Sequence, residues 1–220
     1  MESPHHQDHS SEKETGRLES FSDGVFSIAM TLLILELTVP GLNSNRNDWT
    51  AGQLLWALAR QWPHYLAFLT SFFTILIMWV NHHGIFRMIR RTDSTLLLAN
   101  GFLLMLVTFV PFPTDLVADY LRTPAAATAC GVYAGAFALI SISYALVLLA
   151  ARRNGGHLLA PNTLPEVERR LRDCCFVGTP PYLLATVVAP WKPWLTIAIC
   201  TVLWVFWALS RDGKGSGFGR

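Results

Sequence analysis

Charge is scarce in this chain of 220 residues: Asp, Glu, Lys and Arg together make up 15%, against 52% hydrophobic residues. Ordinary soluble domains carry about 25% charged residues, so a water-exposed globule is a poor reading of this composition. The formal net charge of +2, with no basic tract interleaved with aromatics, argues against a nucleic-acid surface. Cysteine is sparse too. Cys130, Cys174, Cys175 and Cys200 lack the spacing of a zinc or disulfide framework and read as buried, reduced thiols. No metal motif and no nucleophile–base arrangement stands out, so the sequence predicts no cofactor and no enzyme. The first sixteen residues lack the early apolar core and small-residue cleavage site of a secretory leader. No extramembrane stretch is long enough for a second domain. The longest, about residues 152–173, is a short basic loop with a helical pattern from Pro165 to Asp173.

What the chain has is apolar length. Several runs approach or exceed the ~18–20 residues that cross a bilayer, and eight Trp and thirteen Phe accompany them. The pattern predicts an all-α, polytopic membrane protein with six transmembrane helices at about 18–39, 55–79, 95–110, 126–151, 174–189 and 194–209. Pro111-Phe112-Pro113 is expected to close the third helix, and Pro180-Pro181 to kink the fifth. The chain divides into a disordered N-terminal tail (1–16), a transmembrane helical domain (17–210) and a flexible C-terminal tail (211–220).

Loop charges orient the spans. Lys13, Arg17, Arg87, Arg90, Arg91, Arg152, Arg153, Arg169, Arg170, Arg172, Arg211, Lys214 and Arg220 fall on one side; only Arg46, Arg60, Arg122 and Lys192 fall on the other. Positive residues collect on the cytoplasmic side. Both termini are therefore expected in the cytoplasm, and the protein in the cell's inner (plasma) membrane.

The first helix is the unusual one. Its apolar run carries Asp23 near the inner edge and Glu36 near the outer edge, and ionisable groups in membrane helices face a bundle or water rather than acyl chains. At 100° per residue, Ile28, Thr31, Leu32 and Leu35 share one stripe, extended inward by Phe21, Gly24 and Val25. Asp23 points away from that stripe and needs a partner; Arg17, His82 and His83 are the candidates. No second copy of Phe21-Ser22-Asp23-Gly24 occurs, so a repeat of the transporter type is not visible. If this helix lines a pathway, symmetry must come from separate chains.

Arg17, Phe21-Ser22-Asp23-Gly24-Val25-Phe26, Ile28-Ala29 and Thr31-Leu32-Leu33 resemble the signature first helix of the transmembrane protein 175 family. Trp79-Val80-Asn81-His82-His83 with Phe86 is similar to the end of its second helix, and Asn100 with Pro111-Phe112-Pro113-Thr114 to its third. The resemblance covers roughly residues 17–120. It implies a homotetrameric potassium channel whose four first helices line the pore. It also implies that Arg17, Phe21, Ser22, Asp23, Trp79, His82 or His83, and Asn100 form the network that holds those helices. Family members lack the Thr-Val-Gly-Tyr-Gly carbonyl filter, and so does this chain.

The expected function is passive potassium conduction with modest preference over sodium, through rings of Ile28, Leu32 and Leu35 with Thr31 among them and Glu36 at the outer mouth. Potassium ions, membrane lipids and sister subunits are the expected partners; nucleic acid is not. The rival is a proton-coupled secondary transporter using Asp23, Glu36 or His82 as its proton site.

Overall fold

In the computed structural model, residues 4–40 and 49–209 are described, with side chains over 14–40 and 49–205. These residues are helical almost throughout, and α6 is the most deeply buried helix. The chain runs α1 (Pro4–Leu32), a 3₁₀ turn (Leu33–Glu36), α2 (Ala51–Arg60), α3 (Trp62–Phe86), α4 (Ser94–Phe109), α5 (Pro111–Tyr120), α6 (Ala126–Gly156), α7 (Leu164–Asp173), a π turn (Cys174–Gly178), α8 (Thr179–Val188) and α9 (Pro193–Leu209). Four segments are long and apolar enough to cross a bilayer: 14–36, 62–86, 94–120 and 126–156. The expected C-terminal tail lies outside the described residues.

Several boundaries differ from expectation. Residues 4–16, expected as a disordered tail, continue α1. From His5 to Thr15 no proline or glycine interrupts the chain, and extending an existing helix needs no new nucleus. The second expected span divides at Gln61 (φ −80°, ψ 10°), because Pro63 sits in the first turn of α3 and has no N–H to continue an earlier helix. The piece cut off, α2, starts with a reciprocal cap. The Gln53 amide donates to Thr50 Oγ1, and the Thr50 amide donates to Gln53 Oε1 at 2.8 Å. Its Leu55 and Trp56 stay exposed, with the Arg60 guanidinium 4.4 Å from the Trp56 ring centre.

The prolines after α4 begin α5 rather than ending the helical path. Val110 keeps helical angles, and the hydroxyl of Thr114 donates to its carbonyl at 2.8 Å. The disturbance expected at Pro180-Pro181 lies one turn earlier, in the π turn, whose wider ring accommodates carbonyls that the prolines cannot satisfy. Cys175 in that turn is exposed, unlike the buried Cys130 and Cys200.

Helix α6 packs against α4, α5, α7, α8 and α9. Small buried residues along it, among them Ala129, Ala134, Ala138 and Ala145, let these helices approach closely. A buried hydroxyl cluster joins three helices: Ser71 Oγ meets Thr114 Oγ1 at 2.7 Å and Tyr133 OH at 3.1 Å. At the Arg-rich end, the α3–α4 loop pairs with the α6–α7 loop. The Arg90 amide donates to the Leu158 carbonyl at 2.8 Å, and the Ala160 amide to that of Met88 at 2.9 Å. Helix α1 lies at the margin, on α3 and α4.

Candidate functional site

Helix α1 has two faces of opposite character. Ser22, Phe26, Ala29 and Leu33 are fully buried against α3 and α4. Their spacing of four, three and four residues follows one stripe of a 3.6-residue helix. The opposite stripe is bare in the single chain: Phe21, Ile28 (58% exposed), Leu32 and Leu35 (70% exposed). Gly24 and Thr31 lie on it as well. The Thr31 hydroxyl donates to the Ile28 carbonyl at 2.9 Å, so its proton turns into the helix and an oxygen lone pair is left facing outward.

The buried face is held by polar ties at 15, 19, 22 and 23, again one helical stripe. Nearest the inner end, the Thr15 hydroxyl donates to the Arg90 carbonyl at 3.1 Å. One turn on, Glu19 meets His83 Nδ1 at 2.9 Å. Asp23 accepts the indole N–H of Trp79 at 2.9 Å. Ser22 donates to the Leu18 carbonyl at 2.8 Å and accepts from Asn100 Nδ2 at 3.0 Å. The carbonyl oxygen of Asn100 lies 2.9 Å from His82 Nε2. With Asn100 Nδ2 committed to Ser22, its Oδ1 must accept, so His82 Nε2 carries the proton and, among the described residues, the bare Nδ1 has no partner. His82 is fully buried, stacked on Phe86 at 4.3 Å and beside Phe26 at 5.2 Å.

The two adjacent histidines thus separate: His82 points into the α1–α3–α4 junction, while His83 reaches the rim and stacks near Trp79. Two of the expected network residues are elsewhere. Arg17 is exposed and, among the described residues, forms no ion pair with Asp23. Six residues of helix place Arg17 about 120° round the axis from Asp23, on the outward stripe with Phe21. Trp79 takes the partner's role instead. The sequence reading also missed Thr15 and Glu19, although both fall on the stripe that Ser22 and Asp23 define.

At the far end, Glu36 is half-buried in the 3₁₀ turn, within reach of the Asp115 carboxyl and near Asp119, both on α5. Asp119 in turn meets His64 Nε2 of α3 at 3.1 Å. Pro111 was expected to end a span; the helix that instead continues through it carries Asp115 and Asp119 to Glu36. Among the described residues no cluster of three metal-ligating side chains occurs.

Known proteins resemble this chain. The sequence model of the family described as "Endosomal/lysosomal potassium channel TMEM175" matches residues 17–111. A potassium channel of Chamaesiphon minutus is 46% identical over 201 residues, covering 91% of this chain and 97% of that relative. A potassium channel of Streptomyces collinus is 37% identical over 201 residues, covering 90% of this chain and 93% of its own length. The crystal structure of a lysosomal potassium-selective channel TMEM175 homologue from Chamaesiphon minutus superposes with a TM-score of 0.80 at 44% identity, covering 91% of this chain and all of that one.

Proposed function

This chain belongs to the TMEM175 family of potassium channels, and from that membership we propose that it works as a homotetramer of six-span subunits conducting through the outward stripe of α1. The family is one of channels, not enzymes. Four copies of α1 around an axis bring the rings of Ile28, Leu32 and Leu35 together as an apolar constriction, with Phe21 below and Glu36 at the outer mouth. The termini face the cytoplasm, as the loop charges favour, and the membrane is the cell's inner one.

The observation that carries this reading is the contrast between the two faces of α1. One face is fixed by four polar ties and buried side chains, whereas the other is left bare although it bears Arg17, Gly24 and Thr31 beside its apolar residues. An arginine is costly on a stripe facing acyl chains, while a stripe facing an axis can hold it, and Gly24 and Thr31 keep that stripe narrow and partly polar.

Ion discrimination follows from dehydration. An apolar ring too narrow for a hydrated ion empties of water when it closes. When open, it still strips part of the hydration shell, and sodium holds its shell more tightly than potassium. The lone pair of Thr31 returns some of the lost oxygen coordination. Glu36, with Asp115 and Asp119 beside it, raises the local cation concentration at the mouth. The resulting preference for potassium is smaller than a filter of backbone carbonyls provides.

Potassium flux from liposomes containing the purified protein tests the assignment. Ile28→Ala and Leu35→Ala each remove a wide apolar ring and are expected to raise flux and to lower the potassium-to-sodium ratio. Flux and selectivity unchanged in both variants would place the pathway elsewhere.

A further inference from the structure

A groove of about 710 Å³ opens between α4 and α6 at the Arg-rich end of the molecule. Its walls are Leu98, Phe102 and Leu149; its mouth is formed by Thr95, Arg152 and Arg153. Both helices belong to membrane-crossing segments, so the walls lie at acyl-chain depth and the mouth at headgroup depth. Leu98, Phe102 and Leu149 are all exposed in the chain. We propose that this groove holds one anionic phospholipid, an acyl chain along α4 and α6 and the phosphate on Arg152 and Arg153.

The mouth has a built geometry. Helix α6 unwinds there: Arg153 takes an extended ψ of 153°, and Asn154 and Gly155 turn left-handed. Arg153 reaches across to α4, where its guanidinium donates to Thr95 Oγ1 at 3.1 Å, which fixes it over the groove. Arg152 makes a loose, exposed pair with Glu168 at 3.9 Å. An arginine has five N–H donors, so both guanidiniums keep donors for a phosphate. The first turn of α4, with its positive dipole end, lies at the same mouth, and Asp93 caps one amide of that turn, from Leu96. Apolar walls ending in paired arginines on the cytoplasmic side match an anionic lipid better than a neutral one. A second copy of this chain seated here would trap two arginines against an apolar seam.

Lipid retention by the purified full-length chain, counted by native mass spectrometry after exchange into neutral detergent, tests the proposal without requiring ion flux. Phosphatidylglycerol and phosphatidylcholine are offered separately. Wild type is expected to keep about one phosphatidylglycerol per chain and no phosphatidylcholine. The doubly substituted Arg152→Gln, Arg153→Gln chain should lose retention about tenfold, the loss of charge-assisted contacts worth ~1.4 kcal/mol or more. Leu149→Trp, which fills the groove and leaves both arginines, should lose it similarly. Equal retention of both lipids, or full retention in either variant, would overturn the proposal. Displacement of the lipid by inorganic phosphate alone would show a bare anion site, and a change of oligomer mass in Leu149→Trp would show a seat for a second subunit; either result also sinks it.

Discussion

Among single residues, Asn100 has the most demanding position. It is fully buried, and its amide is divided between two helices, donating to Ser22 on α1 and accepting from His82 on α3. Among the described residues no other side chain joins these two partners, and both are fully buried. Asn100→Ala therefore strands a buried imidazole N–H, which costs about 1–3 kcal/mol. The expected outcome is a clear fall in the midpoint of thermal unfolding in detergent, larger than that for Ser22→Ala. Ser22→Ala leaves the His82 bond in place and strands only one amide hydrogen. A midpoint unchanged in Asn100→Ala would show that the amide is a bystander. This residue also marks the limit of the sequence. Asn100, Ser22, Asp23 and His82 were legible as a set, through their presence in apolar helices and through the family resemblance. The bonds between them were not, because the ties from α1 reach partners 56 and 78 residues further along, which it meets only in the folded chain. The choice of Trp79 over Arg17 as the partner of Asp23 is the clearest case: the charge was the obvious complement, but the helical turn points it away.

Along whole elements, periodicity gave the apolar segments and local backbone chemistry decided where they break. The long runs of α3, α4 and α6 were legible from their composition. The break before Trp62, the continuation through Pro111 and the π turn before Pro180 were not, because a proline at the first turn of a helix and one at its end look alike in sequence. Glycine offers a sharper test at the end of α6. Gly155 and Gly156 have φ of +73° and +78°, where a side chain is strained by roughly 1–2 kcal/mol. A Cβ on Gly155 meets nothing within 4 Å, while one on Gly156 comes within 3.2 Å of Leu159 Cδ1 and 3.3 Å of Leu164 Cδ1. Both alanine variants are expected to destabilise, Gly156→Ala more than Gly155→Ala. The excess should appear in the loop that Leu158 and Ala160 pair with the α3–α4 connection. Faster amide hydrogen exchange at Arg90 and Ala160 in Gly156→Ala, with Gly155→Ala closer to wild type, is the measured signature. Identical exchange in the two variants would mean that the contacts with Leu159 and Leu164 yield without cost.

For the whole molecule, the question is what covers the bare stripe of α1. Among the described residues, Phe21, Ile28, Leu32 and Leu35 stay exposed in a lone chain, and two environments fit apolar side chains at that depth: lipid, or the same stripe from sister chains. They differ in proximity between copies. On an axis, equivalent residues of four subunits lie close together; at the rim they lie a full subunit apart. A single cysteine converts that difference into a covalent readout, with the exposed native thiol Cys175 first replaced by Ser. In membranes treated with a mild oxidant, Ile28→Cys is expected to give disulfide-linked dimers, whereas Leu184→Cys, on the exposed face of α8, should stay monomeric. Cadmium ions should block potassium flux through Ile28→Cys and leave Leu184→Cys conducting, because only converging thiols make a multidentate soft-ligand site. Cross-linking at Leu184 with none at Ile28 would put α1 at the lipid boundary. In that event the constriction, its rings and the role of Thr31 would all have to be reassigned to another helix.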